Sequence, residues 1–483
     1  MEDSLYNIEP GVLWKHFLEI SKIPRGSGNE SAAGRYVEEA ARAMGHEVIR
    51  DMAGNIVIRK KACPGMEDRL GVVIQAHLDM VCEKNEETSH DFLKDPIKVY
   101  REDDLISARG TTLGADNGIG VAAALAILES REINHGPLEV FITVDEETGL
   151  TGANEFNGGI LHGKYFLNLD SENEGVLTIG CAGGIDTSVT RALDLKDTDP
   201  AKKAWRIKVQ GLKGGHSGID INRGRGNSIR LLARILNGLI PGFNMDLAAI
   251  DGGNKRNAIP REAFAVVLVD PVREEEFRSA VFDLEKVLRN ELGAFDPALS
   301  LYLEESAMPG KVFSPADTRA LVGFLLTAPH GVISMSPDIE DLVQTSTNLG
   351  VVETGEGKVT VNLLSRSSID SSKMAVAESI AALAGLAGME CSNSGGYPGW
   401  KPEPGTSLVK IMTGIYQRMY TRPMPVKALH AGLECGIIGE KYPDMEMVSI
   451  GPDMWDVHTP EEKVSISSVA RFWDFLKVVI ETL

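Results

Sequence analysis

Residues 70–79 read LGVVIQAHLD, an apolar run rich in Val and Ile that runs out into His77, Leu78 and Asp79. A short apolar run of β-branched residues, bounded in this way, reads as an interior strand. Three further segments repeat the design: TTLGADNG carries Asp116 and Asn117, VFITVDEETG carries Glu146 and Glu147, and YFLNLD carries Asp170. Each puts oxygen donors where an apolar run ends. In open α/β sheets the ligand site lies outside the carboxyl ends of the strands. With His458 far downstream, the set holds two imidazoles and several carboxylates. That mixture suits zinc, cobalt or manganese and leaves one carboxylate over as a base. The pattern is that of a two-metal hydrolase.

Outward from this stretch the N-terminal part alternates. SGNESAAGRYVEEAARAM reads as a helix with Asn or Ser cap candidates. HEVIRDMAGNIVIRK gives two short strands around a Gly-Asn turn. GIGVAAALAILES is an Ala-rich helix, and LEVFITVDEE and KYFLNLD are strands. Strands alternating with helices predict an α/β domain with a mostly parallel central sheet. After Cys181-Ala182-Gly183-Gly184 the pattern changes, and metal-type residues at strand ends stop. From Ala204 the reading is strand, helix (NSIRLLARILNGLI), strand, helix (EEEFRSAVFDLEKVLRNEL) and strand. Leu232, Ile235, Leu236 and Leu239 fall on one helical face, which should be buried. A second round follows: a helix, a hairpin turning at Gly355-Glu356-Gly357, and another helix. The expectation is a doubled α+β insertion. SNSGGYPGWKPEPG, rich in Gly, Pro and Ser, reads as the return linker. The expected division is 1–183 and 398–483 for the catalytic domain and 184–397 for the insertion.

The length of 483 residues calls for at least two domains. An apolar fraction of 43% with 24% charged residues is that of a soluble globular protein. Lys+Arg of 49 against Asp+Glu of 69 gives a net charge of -20. That excess argues against nucleic acid or an anionic membrane as partner. No long apolar run or basic leader is present, so no membrane span or signal peptide is expected. The five scattered cysteines, never spaced C-x-x-C, fit a reducing, cytoplasmic compartment with free thiols. Cys82 reads as structural.

The individual residues carry different weight. His77 and Asp79 share one side of an extended segment, so Asp79 can fix the His77 tautomer while His77 binds a metal. Asp116 suits a helix N-cap or a carboxylate bridging two cations. Adjacent Glu146 and Glu147 at a strand end repel one another unless a cation or proton is present. Residues 211–218, GLKGGHSG, place four glycines around His216, so backbone there can approach a ligand closely. This is neither a P-loop nor a nucleophile elbow, and Ser217 is a poor nucleophile candidate. Asn257, Arg366, His430 and Gly432 are candidate substrate contacts; surface solvation or capping would also explain the polar ones.

HLDMVCEK, TTLGADNGIG, DEETGLTGA, NLDSE, GGHSGIDI, HAGLECG and WDVHTPEE, taken together, resemble the di-zinc metallopeptidase family of aminoacylases, carboxypeptidases and dipeptidases. Within it they are most similar to the bacterial cytosolic aminoacyl-histidine dipeptidases, over essentially the whole chain. The resemblance implies a di-zinc exopeptidase-like catalytic domain with an inserted lid, a doubled ferredoxin-like unit. It implies two divalent metals, zinc foremost with cobalt or manganese as substitutes, bridged by Asp116. His77 and Asp170 would complete one metal, and Glu147 and His458 the other. Asp79 would orient His77, Glu146 would be the general base, and His216 would stabilise the oxyanion from the lid, with hinges near 183 and 398. Asn257 and Arg366 would bind substrate, Arg366 through the terminal carboxylate. In many relatives a smaller lid dimerises and lends its His to the partner. Here the chain would be a monomer or a homodimer, and His216 would act in cis or in trans. The implied activity is hydrolysis of dipeptides, Xaa-His and β-alanyl-histidine types included. The rivals are an N-acyl-amino-acid deacylase or tripeptidase of the same family, a non-catalytic metal or peptide binder, and a di-metal phosphoesterase.

Overall fold

The computed structural model describes residues 7–483. By its contacts the chain divides into two units. One comprises the chain up to Gly180 with Pro402–Ala428 and Leu433–Leu483; the other comprises Cys181–Lys401 and Leu429–Gly432.

In the first unit every residue of Val72–His77, Leu138–Thr143 and Tyr165–Asn168 is buried. Strands buried on both faces are the signature of a parallel sheet covered by helices. Val72–His77 runs parallel to both of the others, and Glu446–Ser449 runs parallel to Tyr165–Asn168. These four inner strands form the parallel heart of the sheet. The hairpin Glu47–Arg50 and Ile56–Lys60 adds to one side antiparallel. Because the inner strands share a direction, the residues that follow them leave by one edge: His77 and Asp79, Glu146 and Glu147, and Asp170.

The helix Ala115–Glu129 is buried along almost its whole length. Its Ala and Gly residues let the backbone lie close to the sheet. Its start is irregular. Gly114 precedes it at φ 69, and Asp116 departs from helical geometry with ψ 111. A Cβ at Gly114 would stand 2.5 Å from Arg25 and 2.7 Å from Met80, so both conformation and space require glycine there. The helix Ser31–Ala43 lacks the expected side-chain cap. Glu30, at its cap position, instead accepts from the amides of Gly28 and Asp145.

The second unit is built on one antiparallel sheet. Its strand order is Ser300–Glu305, Lys203–Gln210, Ala263–Val269, Asp246–Gly252, Val343–Gly355, Lys358–Ser367, Gly183–Ala192 and Glu390–Tyr397. Lys203–Gln210, helix Ser228–Phe243, Asp246–Gly252, Ala263–Val269, helix Glu274–Leu292 and Ser300–Glu305 form a βαββαβ half with spatial order 4-1-3-2. Gly183–Ala192, helix Pro315–Thr327, Val343–Gly355, Lys358–Ser367, helix Asp370–Leu386 and Glu390–Tyr397 form another. The second strands of the halves meet at Gly252 and Val352. The lid is thus a doubled ferredoxin-like sheet. One half is nested inside the other, and does not simply precede it, because Gly183–Ala192 comes first in the chain. One apolar core serves both halves, including Val189, Trp205, Leu236, Val361 and Ile380. Leu232, Ile235, Leu236 and Leu239 are all buried, each contributing about 1.5–3 kcal/mol of apolar transfer.

Two expectations change. The supposed return linker begins as a strand: Ser392, Asn393 and Ser394 pair with Ser188, Thr187 and Asp186 at the sheet edge. Asp246–Gly252, sequence DLAAIDG, is a strand despite poor β-formers, held by the ladder to Ala263–Val269 on one side and by the Gly252–Val352 pair on the other.

Candidate active site

The strand ends of the first unit bring His77, Asp79, Asp116, Glu146, Glu147, Asp170 and His458 together. Asp116 stands in the middle. Its Oδ1 is 3.1 Å from His77 Nε2, and its Oδ2 is 3.2 Å from His458 Nε2. His77 Nε2 is also 3.1 Å from Asp170 Oδ1, and His458 Nε2 is 3.1 Å from Glu147 Oε2. Ligand atoms of His77, Asp116 and Asp170 lie within 4.8 Å of one another, and so do those of Asp116, Glu147 and His458. Asp116 belongs to both groups. Glu146 forms a third such group with His77 and Glu147. Glu147 Oε1 is buried without a hydrogen-bond partner, a lone pair aimed at nothing the protein supplies. Nitrogen and oxygen donors in two sets of three fit two borderline-to-hard divalent cations.

Local backbone serves this geometry. Asp145 and His458 hold left-handed φ values of 52 and 64, conformations that non-glycine residues keep only where their surroundings enforce them. Asp79 is buried and ties three segments together. Its Oδ1 is 3.5 Å from His77 Nδ1, while it accepts from the amides of Glu146 (3.0 Å) and Glu147 (3.2 Å) and the hydroxyl of Ser27 (2.7 Å).

The charges are strongly perturbed. Burial raises Glu146 well above an ordinary carboxyl, aided by Asp170, Glu147 and Glu434 and opposed by His77. Burial likewise lifts Asp170 to about 6. For Asp116 burial is outweighed by hydrogen bonds from His458 and His77, which hold it well below the usual range. Hydrogen bonds to Asp116 and Glu147 push His458 up to about 11. Burial would lower His77, but Asp170, Asp116 and Asp79 carry it well above its ordinary value. The imidazoles stand in for cations among crowded carboxylates.

Sequence reasoning overlooked several residues around this cluster. Arg25 Nη1 donates to the carbonyls of Leu78 (2.9 Å) and Asp79 (3.0 Å). Glu434 is fully buried behind the strands and accepts from Gln75 (2.5 Å) and Thr143 (2.6 Å). Burial raises it to about 7. Its one signal was an acid inside the otherwise apolar and glycine-rich HAGLECG. Arg25 left no periodic or motif signal.

The second unit gathers His216, Ser217, Arg366, Tyr397 and His430. His216 Nδ1 accepts from the amides of Gly218 (3.2 Å) and Ile219 (3.1 Å). The proton of the neutral ring is therefore on Nε2, which becomes a donor. Burial and Arg366 lower His216 to about 4. Arg366, 5% exposed, donates to the hydroxyls of Ser217 (3.4 Å) and Tyr397 (3.0 Å). Both partners are neutral. His430 Nε2 lies 2.7 Å from Ser346 Oγ, and burial with Arg366 lowers it to about 3. Gly432 faces the Tyr397 ring, where a Cβ would approach to 3.0 Å. The Asn257 side chain is exposed, while its carbonyl accepts from the Ser217 amide (2.9 Å). Asn348 brackets it by donating to the carbonyls of Arg256 (2.9 Å) and Ala258 (2.8 Å).

Residues 73–482 match the family described as Peptidase family M20/M25/M40. The chain belongs to this peptidase family. It is 41% identical over 479 residues to a cytosol non-specific dipeptidase of Escherichia coli (strain K12), covering 99% of each chain. It is similar, at a TM-score of 0.92 and 42% identity, to the crystal structure of aminoacylhistidine dipeptidase from Vibrio alginolyticus, with 100% of this chain and 99% of that one covered. An aminopeptidase PepT from Bacillus cereus shares the fold at a TM-score of 0.56 and 16% identity, covering 98% of each.

Proposed function

We propose that the protein is a two-metal dipeptidase acting in the cytoplasm on free dipeptides, Xaa-His and β-alanyl-histidine among them. The observation that carries the reading is the Asp116 carboxylate, which turns one oxygen toward His77 and the other toward His458. His77, Asp116 and Asp170 would hold one cation and Asp116, Glu147 and His458 the other. Zinc is the expected metal, with cobalt or manganese as substitutes. Two such cations, when bound, polarise the scissile carbonyl and acidify water.

The remaining steps belong to side chains. Glu146 takes a proton from the attacking water and passes it to the leaving amine; burial raises its proton affinity well above that of an ordinary carboxyl, which suits a base. Asp79 fixes His77 and the Glu146-Glu147 turn. His216, neutral with its proton on Nε2, donates to the oxygen that becomes negative in the tetrahedral intermediate. Arg366, buried and hydrogen-bonded to the hydroxyls of Ser217 and Tyr397, holds the substrate's terminal carboxylate, with Asn257, His430 and Gly432 as further contacts. Residues 184–397 form the lid that carries His216, Asn257 and Arg366. The cytoplasmic reading draws on the relative named a cytosol dipeptidase and on five free cysteines. Among the described residues no helix is long and apolar enough to cross a membrane.

The test is hydrolysis by chelator-stripped protein refilled with zinc, cobalt or manganese. The panel is Ala-His, β-alanyl-His, Leu-Leu, a tripeptide and N-acetyl-methionine. Metal-restored cleavage confined to dipeptides supports the reading. Cleavage of N-acetyl-methionine alone would assign a deacylase instead.

A further inference from the structure

Glu462 lies four residues beyond His458 in a run, TPEEK, that reads as solvated surface, yet it is 2% exposed. Its Oε2 accepts from the amides of Leu113 (2.8 Å) and Gly114 (3.0 Å). Its Oε1 accepts from those of Ala115 (2.7 Å) and Asp116 (3.4 Å). Four successive backbone donors thus converge on one carboxylate. They belong to the turn that delivers Asp116 to the centre of the cluster. On its other side that turn is held by Arg25, whose Nη2 donates to the Gly114 carbonyl and whose Nη1 reaches the carbonyls of Leu78 and Asp79. The Asp116 turn is therefore tied to the His458 segment through Glu462 and to the His77 segment through Arg25.

We propose that Glu462 is a positioning residue for a dinuclear metal centre, fixing the Asp116 carboxylate so that one oxygen faces each cation. The proposal rests on the two-cation reading of the cluster. Glu462 touches neither substrate nor metal; it acts through Asp116. The chemistry requires a carboxylate. An ionised carboxylate offers about four lone-pair sites, enough for four amides. A glutamine keeps one acceptor oxygen and turns two N–H groups toward donors that have no use for them. Loss of the clamp frees the turn, and both cation positions lose a pre-aimed ligand together.

A carboxylate that merely holds a loop would affect stability and leave metal binding alone. Glu139 provides that comparison within the same unit. It is 5% exposed and accepts from the amides of His162 (2.7 Å) and Gly163 (2.9 Å), at the opposite end of Leu138–Thr143 from Glu146. The experiment titrates chelator-stripped wild type, Glu462→Gln, Glu462→Asp and Glu139→Gln with zinc by calorimetry. Bound metal is counted by mass spectrometry, and circular dichroism checks folding. Wild type should bind two zinc ions per chain. Glu462→Gln should weaken zinc binding about 10–100-fold, the usual effect of losing a group that orients a metal ligand. Glu462→Asp, one methylene short but still charged, should weaken it less, and Glu139→Gln should bind zinc as wild type does. Wild-type affinity in folded Glu462→Gln, or in Glu462→Asp if the Gln variant does not fold, would overturn the proposal. So would equal weakening in Glu139→Gln. No zinc bound by wild type would overturn the two-cation reading and this inference with it.

Discussion

His77 and His458 in the first unit stand against carboxylates, whereas His216 and His430 in the second stand beside Arg366. The same side chain is driven in opposite directions. Asp116 and Glu147 push His458 up to about 11, while burial and Arg366 lower His216 to about 4 and His430 to about 3. A pocket that pulls protons onto imidazole is short of positive charge and suits cations. A pocket that strips them off already holds a buried guanidinium, and suits a carboxylate and a developing oxyanion. The electrostatics of each unit, taken separately, thus fit the proposed division between metal-holding and substrate-holding groups.

The largest effect that would test this comparison is at Glu146. Glu146→Ala should keep both metals, counted by elemental analysis, and lower kcat by about 10²–10⁴-fold. Near-normal turnover in a metal-loaded variant would remove its role as base. His216→Ala comes next, with kcat down by about 10²–10³-fold and metal content unchanged. Mixing it with Glu146→Ala should restore nothing if His216 acts in cis; recovered activity would place it in trans. Arg366→Ala should chiefly raise KM for free dipeptides, with a smaller effect on a C-terminally amidated analogue. Equal effects on the two substrates would remove its carboxylate role.

The smallest effect is on stability. His216, His430 and also His330, lowered to about 3 by burial and Arg230, take up protons in the unfolded chain below about 6.5. In the folded chain they do so only near 3–4. The unfolded state therefore binds more protons between these limits, and the stability of the second unit falls as pH drops through that window. In the metal-free first unit His458 and Asp170 have raised values, so the folded state binds the extra protons and the sign is reversed. Hydrogen exchange of metal-free protein at pH 7.5 and 5 should show protection lost mainly in the second unit. Greater loss in the first would contradict the contrast.

The strand ends were legible because a polar side chain closing a buried apolar run stands out in the sequence, as His77, Glu146 and Asp170 do. The face of Ser228–Phe243 was legible for a similar reason, a strong 3.6-residue period. Glu462 and Arg25 were not. Each acts on backbone distant in sequence, Glu462 on Leu113–Asp116 and Arg25 on Leu78, Asp79 and Gly114, and backbone partners leave no trace in side-chain patterns. Glu390–Tyr397 was misread because its Ser and Gly residues lack β propensity, and only pairing with Gly183–Ala192 makes it a strand. The nesting of the lid halves was hidden for the same reason, since Gly183–Ala192, sequence GGIDTSVTRA, opens on two glycines.

The most direct test of the central contrast is a crystal structure of zinc-loaded protein with anomalous data at the zinc edge. The account predicts two peaks, one among His77, Asp116 and Asp170 and one among Asp116, Glu147 and His458, with none at His216 or His430. A single peak, or one at the second unit's imidazoles, would contradict it.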